Sequence, residues 1–338
     1  ETVRCPARRD VWLSSYSKER DCNMGAAPKL KLKIHQEFAL LDFDVTALRG
    51  REIRAAWLTI EPVGGHKYGF NGNTDLSWLT VSTVAHPWVE GQSTGYRKDE
   101  KGHGATFNES SYGRADWGWP GAKVCDVALG HAHTLRCDAR LERADGERWR
   151  LPLDVRLVQA LVAGASHGLM VMDGSTYVVM NCVVASRESG KGPVLEVELG
   201  PRRVTKPAAV QGLAVRPAPG DASNRHGALQ VALRVPERAF SYDVQCNGKT
   251  MGRWQIPIAT KPGKTQRFVL RDLPPDAACT IRVRAVSATG QPGAWNTARG
   301  RTSPSLRIPK LPTFAPSWAL APPPTLGTTA RVYALPPL

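Results

Sequence analysis

The chain has no run of 18 apolar residues. Its most apolar stretch, residues 158–172, is broken by Gly164, Ser166, His167 and Gly168, so no segment reads as a membrane-spanning helix. Several catalytic and nucleotide signatures are missing too: there is no phosphate loop, His-Glu-x-x-His pair or dinucleotide fingerprint. Helical periodicity is scarce; in the first half it is confined to residues 154–163, with Val155, Val158 and Leu161 on one face and Gly164 as the stop. Acidic residues are sparse in the second half. Residues 206–338 hold 18 Lys+Arg against 5 Asp+Glu, whereas residues 1–205 hold 27 against 25, so +13 of the net +15 lies after residue 205. Such an excess attracts polyanions in general, acidic polysaccharide or an anionic envelope among them, and specifies no nucleic acid. For acid–base catalysis the plausible acids of the loop region are Glu90, Asp99, Glu100, Glu109 and Asp116, where surface solvation is the simpler role.

What is present suits two or three packed domains: 338 residues, 42% of them apolar. Leu30, Leu32 and Ile34 alternate with Lys29, Lys31, Lys33 and His35, which predicts a strand with one wet face. Residues 38–43 read as a buried strand, and residues 53–62, 78–84, 168–172, 177–185 and 195–199 as further strands. Many short strands with one short helix predict an all-β, antiparallel sandwich. After residue 206 the same rhythm recurs at 229–235, 242–246, 253–258, 267–270 and 280–286, with Asn247-Gly248 as a hairpin signal. From residue 304 prolines cluster, predicting a linker or the start of a further domain, and the chain reads as one piece of a larger protein.

Residues 64–121 form a long region rich in Gly, Asn, Ser and aromatics, the kind of connection that carries recognition. Sugar binding needs an exposed aromatic face surrounded by amides and guanidinium groups. The candidates are Tyr68, Asn71, Trp88, Tyr96, Arg97, Trp117 and Trp119. Any single aromatic here can equally be core, but the glycine and proline of Trp117-Gly-Trp119-Pro120 make joint burial harder and surface stacking a reading of equal weight. His131-Ala-His133 supplies two potential metal ligands, which by themselves are not a site.

The seven cysteines fall into the local pairs Cys5 with Cys22, Cys125 with Cys137 and Cys246 with Cys279, plus Cys182. This spacing suits disulfides in an oxidising compartment, with buried reduced thiols as the alternative. The chain starts at Glu1 with neither an initiator methionine nor a leader, as expected after signal-peptide removal or after trimming.

Taken in order, Asp10-Val-Trp-Leu-Ser-Ser, Asn23-Met-Gly25, Leu40-Leu-Asp-Phe-Asp44 and Ile53-Arg-Ala-Ala-Trp-Leu-Thr-Ile60 resemble the opening of DNRLRE-type carbohydrate-binding modules. Leu153-Asp-Val155, Gly168-Leu-Met-Val171, Ala185-Ser-Arg-Glu188 and Pro193-Val-Leu-Glu-Val197 resemble that family's closing strands. The resemblance covers about residues 1–200 and implies a jelly roll, a secreted or cell-surface location and polysaccharide association. A structural calcium ion is common in such jelly rolls, with Asp10, Asp42 or Asp44 as candidate ligands. The region from Gly64 to Cys137 is longer than in the family, so a family binding site is least transferable there.

Leu273-Pro-Pro-Asp-Ala-Ala-Cys-Thr-Ile-Arg-Val-Arg-Ala285 resembles the approach to the F strand of fibronectin type III domains, with Cys279 at the corner-tyrosine position and Leu233 or Val235 where the B-strand tryptophan is expected. That resemblance sets Cys246 at the end of C beside Cys279 at the start of F and implies a disulfide between them. The expected organisation is a jelly roll over residues 1–205, a fibronectin type III-like sandwich over 206–303 and a Pro-rich segment over 304–338. The expected role is non-catalytic polysaccharide binding or surface attachment. A glycoside hydrolase or lyase subunit and a structural envelope or filament subunit are the rival classes.

Overall fold

Strand β1 (Thr2–Ser14) decides how the first sandwich closes. Its first half, residues 2–6, pairs with β13 (Val194–Arg202), and its second half, residues 7–14, pairs with β3 (Glu37–Phe43). Pro6 stands at the changeover and Arg8 is the extra residue of a bulge between Ala7 and Arg9. Proline cannot donate to the ladder and a bulge bends the strand, so one strand serves two sheets. The bulge also inverts side-chain parity. Before it, Cys5 and Ala7 face the inner core; after it, Trp12 does, while Val11 and Leu13 point to the opposite face.

The computed structural model describes residues 1–63, 76–129, 133–143, 148–174, 182–218 and 226–304. The remaining strands before residue 203 are β2 (Lys29–Leu32), β4 (Arg51–Ile60), β5 (Trp78–Thr83), β6 (Glu109–Ser111), β7 (Ala115–Asp116), β8 (Arg136–Arg140), β9 (Glu142–Arg143), β10 (Trp149–Leu153), β11 (Leu169–Asp173) and β12 (Cys182–Ala185). Nine strands run in the order β8-β5-β11-β3-β1-β13-β4-β10-β9, a sheet folded over at β1. Leu41, Phe43, Val81 and Leu169 from one half meet Leu58, Ile60, Leu195 and Val197 from the other, and the β2–β12 pair closes the core with Leu30, Leu32 and Val184. This is an antiparallel jelly-roll sandwich. Helix α1 (Val155–Val162), capped by the Asp154 side chain on the Arg156 N–H, sinks Leu157, Val158, Leu161 and Val162 into the same core.

Residues 84–129 are packed, not splayed. They form a third layer on the outer face of the β1–β3–β11 sheet, where Val84, Trp88, Ala105, Trp117, Val124 and Val127 cover Val11, Leu13, Phe38, Leu40 and Met170.

The second sandwich contains β14 (Gln211–Pro217), β15 (Gly227–Arg234), β16 (Ser241–Cys246), β17 (Lys249–Thr250), β18 (Thr265–Leu273), β19 (Ala278–Val286) and β20 (Asn296–Arg301). A β14-β15-β18 sheet faces a β17-β16-β19-β20 sheet, an immunoglobulin-like arrangement of the fibronectin type III kind. Leu233 and Val235 are core residues at the place of the expected tryptophan, and buried Tyr242 donates from its hydroxyl to Gln266 Oε1 at 2.9 Å. Asn247 and Gly248 both have positive φ, as a tight primed turn requires. The expected strand at 253–258 is instead a single 3-10 turn, Arg253–Gln255. Side chains take over its bonding: the Arg253 guanidinium donates to the Tyr242 carbonyl and to Asp243, and Gln255 Oε1 accepts from the Arg271 N–H.

The two sandwiches touch. Ala160 and Ala163 of α1 pack on Phe240 and Val286, Trp119 meets Trp254 at 4.9 Å, and the Gly50 N–H donates to the Thr289 carbonyl.

Deleting Arg8 leaves Ala7 opposite Phe43 and Asp10 opposite Leu41, so each side chain of β1 keeps its face, whereas one alanine inserted between Asp10 and Val11 would turn Trp12 outward and Val11 and Leu13 inward. The expected outcome is loss of the cooperative unfolding transition seen by circular dichroism for the insertion and its retention for the Arg8 deletion.

Candidate functional site

The sequence-predicted aromatics do not share one surface. Trp117 is 0% exposed, and its Nε1 donates to the Thr106 carbonyl at 3.0 Å inside the third layer. Trp88 is also buried, donating to the His167 carbonyl with the Arg9 guanidinium 4.6 Å above its ring. Trp119 is half-buried against Trp254. The surface-stacking expectation for Trp117 and Trp119 is therefore corrected: hydrophobic burial on the outer sheet face and in the inter-sandwich contact takes both indoles. Tyr68 and Asn71 lie outside the described residues, as do His131 and the Pro-rich segment from 305.

Tyr96 and Arg97 are exposed, Tyr96 to 56%. A ring this open is usually mobile; this one is held. Lys31 Nζ donates to its hydroxyl at 2.6 Å, and the same ammonium sits 4.7 Å from the Trp12 ring and 5.2 Å from the Tyr96 ring. Trp12 meets Tyr96 edge-on at 6.0 Å. The backbone beneath is fixed by Asn23, fully buried, whose Nδ2 donates to the carbonyls of Glu90 and Ala105 and whose Oδ1 accepts from the N–H groups of Gly25 and Ser93. Asp99 accepts from the N–H groups of Gln92, Gly102 and Gly104, so this acid organises the loop. Arg97 and Lys98, the next two residues of the chain, are exposed.

A second cluster lies nearby in the chain. Asp10, Glu90 and Glu188 bring carboxylate oxygens within 4.8 Å of one another. The Asp10 N–H donates to Glu90 Oε1 at 2.7 Å, the Arg187 N–H donates to Asp10 Oδ2 at 2.7 Å, and the Arg187 guanidinium bridges Glu90 at 3.1 Å and Glu188 at 2.5 Å. Asp10 is 1% exposed and its Oδ1 has no hydrogen-bond partner. Burial pushes its carboxyl up to about 7, with Glu188 and Glu90 adding repulsion against the Arg187 N–H. Of the three aspartates expected to serve calcium, Asp10 alone joins this oxygen-rich cluster. Asp42 pairs with Arg8 and Arg9, and exposed Asp44 accepts the Thr46 N–H at the start of a 3-10 turn. The all-oxygen donor set of Asp10, Glu90 and Glu188 fits a hard divalent ion. Sequence reading missed Glu188 as a partner of Asp10, since 178 residues separate them; the Ser-Arg-Glu motif was the available signal.

A cleft of about 180 Å³ near the sandwich junction is lined by Arg8, Arg9, Asp42, Arg49, Ser166 and His167. Asp42 already occupies Arg8 and Arg9. Burial, reinforced by Arg253, lowers His167 to about 4.

None of the expected disulfides is formed among Cys5, Cys22, Cys125, Cys137, Cys246 and Cys279. Cys125 packs with the outer cluster and Cys137 with the inner one, on opposite faces of the sheet, which separates that pair. Cys5 lies by Asp44, and Cys22 by Glu19 and Asp21. Cys246 and Cys279 do meet across β16 and β19, close enough for a thiol hydrogen bond, and burial raises Cys246 to about 12.

No protein-family model and no curated protein matches the chain. Among solved structures, the Yersinia enterocolitica family 28 exopolygalacturonase aligns over 29% of this chain and 21% of its own, at 17% identity and TM-score 0.22. A β-1,2-glucanase from Parabacteroides distasonis aligns over 90% of this chain and 37% of its own, at 9% identity and TM-score 0.26. The chicken CNTN1 FN1-FN3 domains align over 89% and 94%, at 9% identity and TM-score 0.23. The chain spans well under half the length of either glycan-acting enzyme. The fold assignment rests on the strand pairing itself.

Two measurements test this site's surroundings. Trp117→Ala should lower unfolding free energy by about 3–5 kcal/mol in a denaturant titration, the cost of an indole-sized core cavity. His167 is folded in its neutral form, so its contribution is present above its unfolded value of 6.5 and is lost as pH falls toward 4. Wild type should therefore lose up to about 3 kcal/mol more than His167→Gln between pH 7 and pH 4.

Proposed function

We propose that this chain is a non-catalytic polysaccharide-binding unit, secreted or at a cell surface, within a larger carbohydrate-active or envelope protein. The observation that carries the reading is Tyr96: an aromatic face more than half open to solvent, yet fixed in direction by Lys31 and Trp12 and followed in the chain by exposed Arg97. A ring oriented before binding stacks on a sugar without losing side-chain entropy. The resemblance of residues 1–200 to DNRLRE-type carbohydrate-binding modules supports the same conclusion.

Acidic polysaccharide is the favoured class. The outward face of β16, β19 and β20 carries Arg282, Arg284, Arg299 and Arg301, with Trp295 lying 4.8 Å from the Arg282 guanidinium and 4.6 Å from that of Arg284. Asp243 is shared by Arg253 and Arg284, and Asp276 pairs with Arg301, which leaves Arg282 and Arg299 without an acidic partner among the described residues. Uncompensated guanidinium groups on a flat sheet suit carboxylate or sulfate groups spaced along a polymer.

Binding to neutral and uronate-rich polysaccharides tests the reading. Tyr96→Ala should weaken binding tenfold to a hundredfold, about 1.5–3 kcal/mol for one aromatic face, with little change in Tm. Arg282→Glu with Arg299→Glu should weaken the acidic polymer alone and flatten its salt dependence. Release of reducing ends or unsaturated uronides by the purified chain would place it among the enzymes instead.

Export implies oxidation of the one cysteine pair that is already adjacent. Protein recovered from an oxidising compartment should show Cys246 linked to Cys279 in a non-reduced digest, and Cys125 not linked to Cys137.

A further inference from the structure

We infer that the contact between the two sandwiches is an acid-released latch, closed while His167 is neutral and opened when His167 takes up a proton. His167 follows helix α1 and lines the cleft near the junction. Its backbone is pinned twice: the N–H donates to the Val84 carbonyl at 2.8 Å, and the carbonyl accepts from Trp88 Nε1 at 3.0 Å. The half-buried imidazole is therefore held in place. Arg253 of the second sandwich reaches the same spot, since a β-carbon on Gly164 would lie 3.9 Å from its Nη2. The apolar part of the contact is Ala160 and Ala163 against Phe240 and Val286, with Trp119 against Trp254.

The groups around His167 leave no acid to receive an imidazolium. Strand β1 brings Arg8 and Arg9, the segment before Trp88 brings His86, and the second sandwich brings Arg253. Asp42 already accepts from Arg8 and Arg9, and Asp243 from Arg253 and Arg284. Arg49 and Asp44 also line the cleft but are exposed, where water and salt screen them. His86 has a buried Nδ1 with no hydrogen-bond partner and sits edge-on to Trp117, so burial keeps it neutral as well. A buried cation without a partner is costly, and opening removes that cost by hydrating His167 and withdrawing Arg253. Burial, then Arg253 and His86, hold the imidazole at about 4 in the closed chain. The neutral form is the closed form, so closure is fully supported above the ordinary value of 6.5 and weakens as pH falls toward 4. An imidazole that returns to 6.5 on opening lowers the closed-to-open ratio about 30-fold between pH 7.5 and pH 5, and about 150-fold by pH 4.

Small-angle X-ray scattering of the full chain from pH 7.5 to pH 4, at constant ionic strength, reads opening as a rise in maximum dimension. Wild type should lengthen while its far-UV circular dichroism is unchanged, since each sandwich keeps its own core. His167→Gln, neutral at every pH, should hold its pH 7.5 dimensions to a lower pH. Ala163→Glu, which sets a charge against Phe240, should be open at pH 7.5 and give His167 an NMR titration near 6.5, against about 4 in the closed chain. Phe240→Ser, from the other side of the contact, makes the same measurement if Ala163→Glu does not fold. The inference is overturned if wild type keeps its dimensions down to pH 4, or if His167→Gln lengthens over the same pH range as wild type. Lengthening that coincides with loss of the circular dichroism signal overturns it too, since that is general acid unfolding. So does an imidazole that still titrates at about 4 in the opened variant, because burial within the first sandwich then accounts for it alone.

Discussion

One extra residue in the first strand organises this molecule. Arg8 shifts the alternation of β1 by one position, so a single strand lends Cys5 and Ala7 to the inner core before the shift and Trp12 after it, while Val11 and Leu13 are turned to the other face. Without the shift, Asp10 and Trp12 would point away from the core. Because the strand also changes partners there, from β13 to β3, the same few residues close the sandwich and orient both the acidic cluster and the support beneath Tyr96.

The outward face that β1 shares with β3 and β11 is apolar, and apolar sheet faces are not left to water. Residues 84–129 cover it, taking Trp88 and Trp117 out of solvent and giving His86 and Phe107 ring partners in Trp117 and Phe38. A region whose composition suits recognition thus works chiefly as a lid on a second core. What it leaves for solvent is its margin, where Ser93 to Lys98 run over the Asn23 turn and present Tyr96. Gly25 belongs to this contact, since a β-carbon there would meet the Glu90 carbonyl at 1.9 Å.

Charge is divided in the same economical way between paired and unpaired groups. In the first sandwich Arg8, Arg9, Arg150 and Arg187 meet acids, so its near-neutral composition becomes a set of local ion pairs. In the second, the same sheet face holds more guanidinium groups than Asp243 and Asp276 can neutralise. The docked α1 helix and the Trp119–Trp254 contact join the two in a packed junction.

Much of the fold was legible because it depends on short-range patterns. Alternation at Leu30 and Leu32, the continuous apolar run of β3, the Asp154 cap and Gly164 stop of α1, and the Asn247-Gly248 turn each express a local preference that the tertiary structure had no reason to override. Residues 253–258 broke that rule because Arg253 and Gln255 found side-chain partners far along the chain. The sites followed the same division. Tyr96 and Arg97 were nameable from composition, but whether Trp117 faced water or core turned on a sheet face it meets only in three dimensions. The parity of a bulged strand brings Asp10 to Glu188 across 178 residues and sets Cys125 and Cys137 on opposite faces although 12 residues apart. By itself the sequence determined the β-sandwich class, the strand rhythm and the basic second half, since these follow from nearest-neighbour chemistry and composition. Only the tertiary structure decided which aromatics stay exposed and which carboxylates converge, since both depend on long-range packing that no local pattern records.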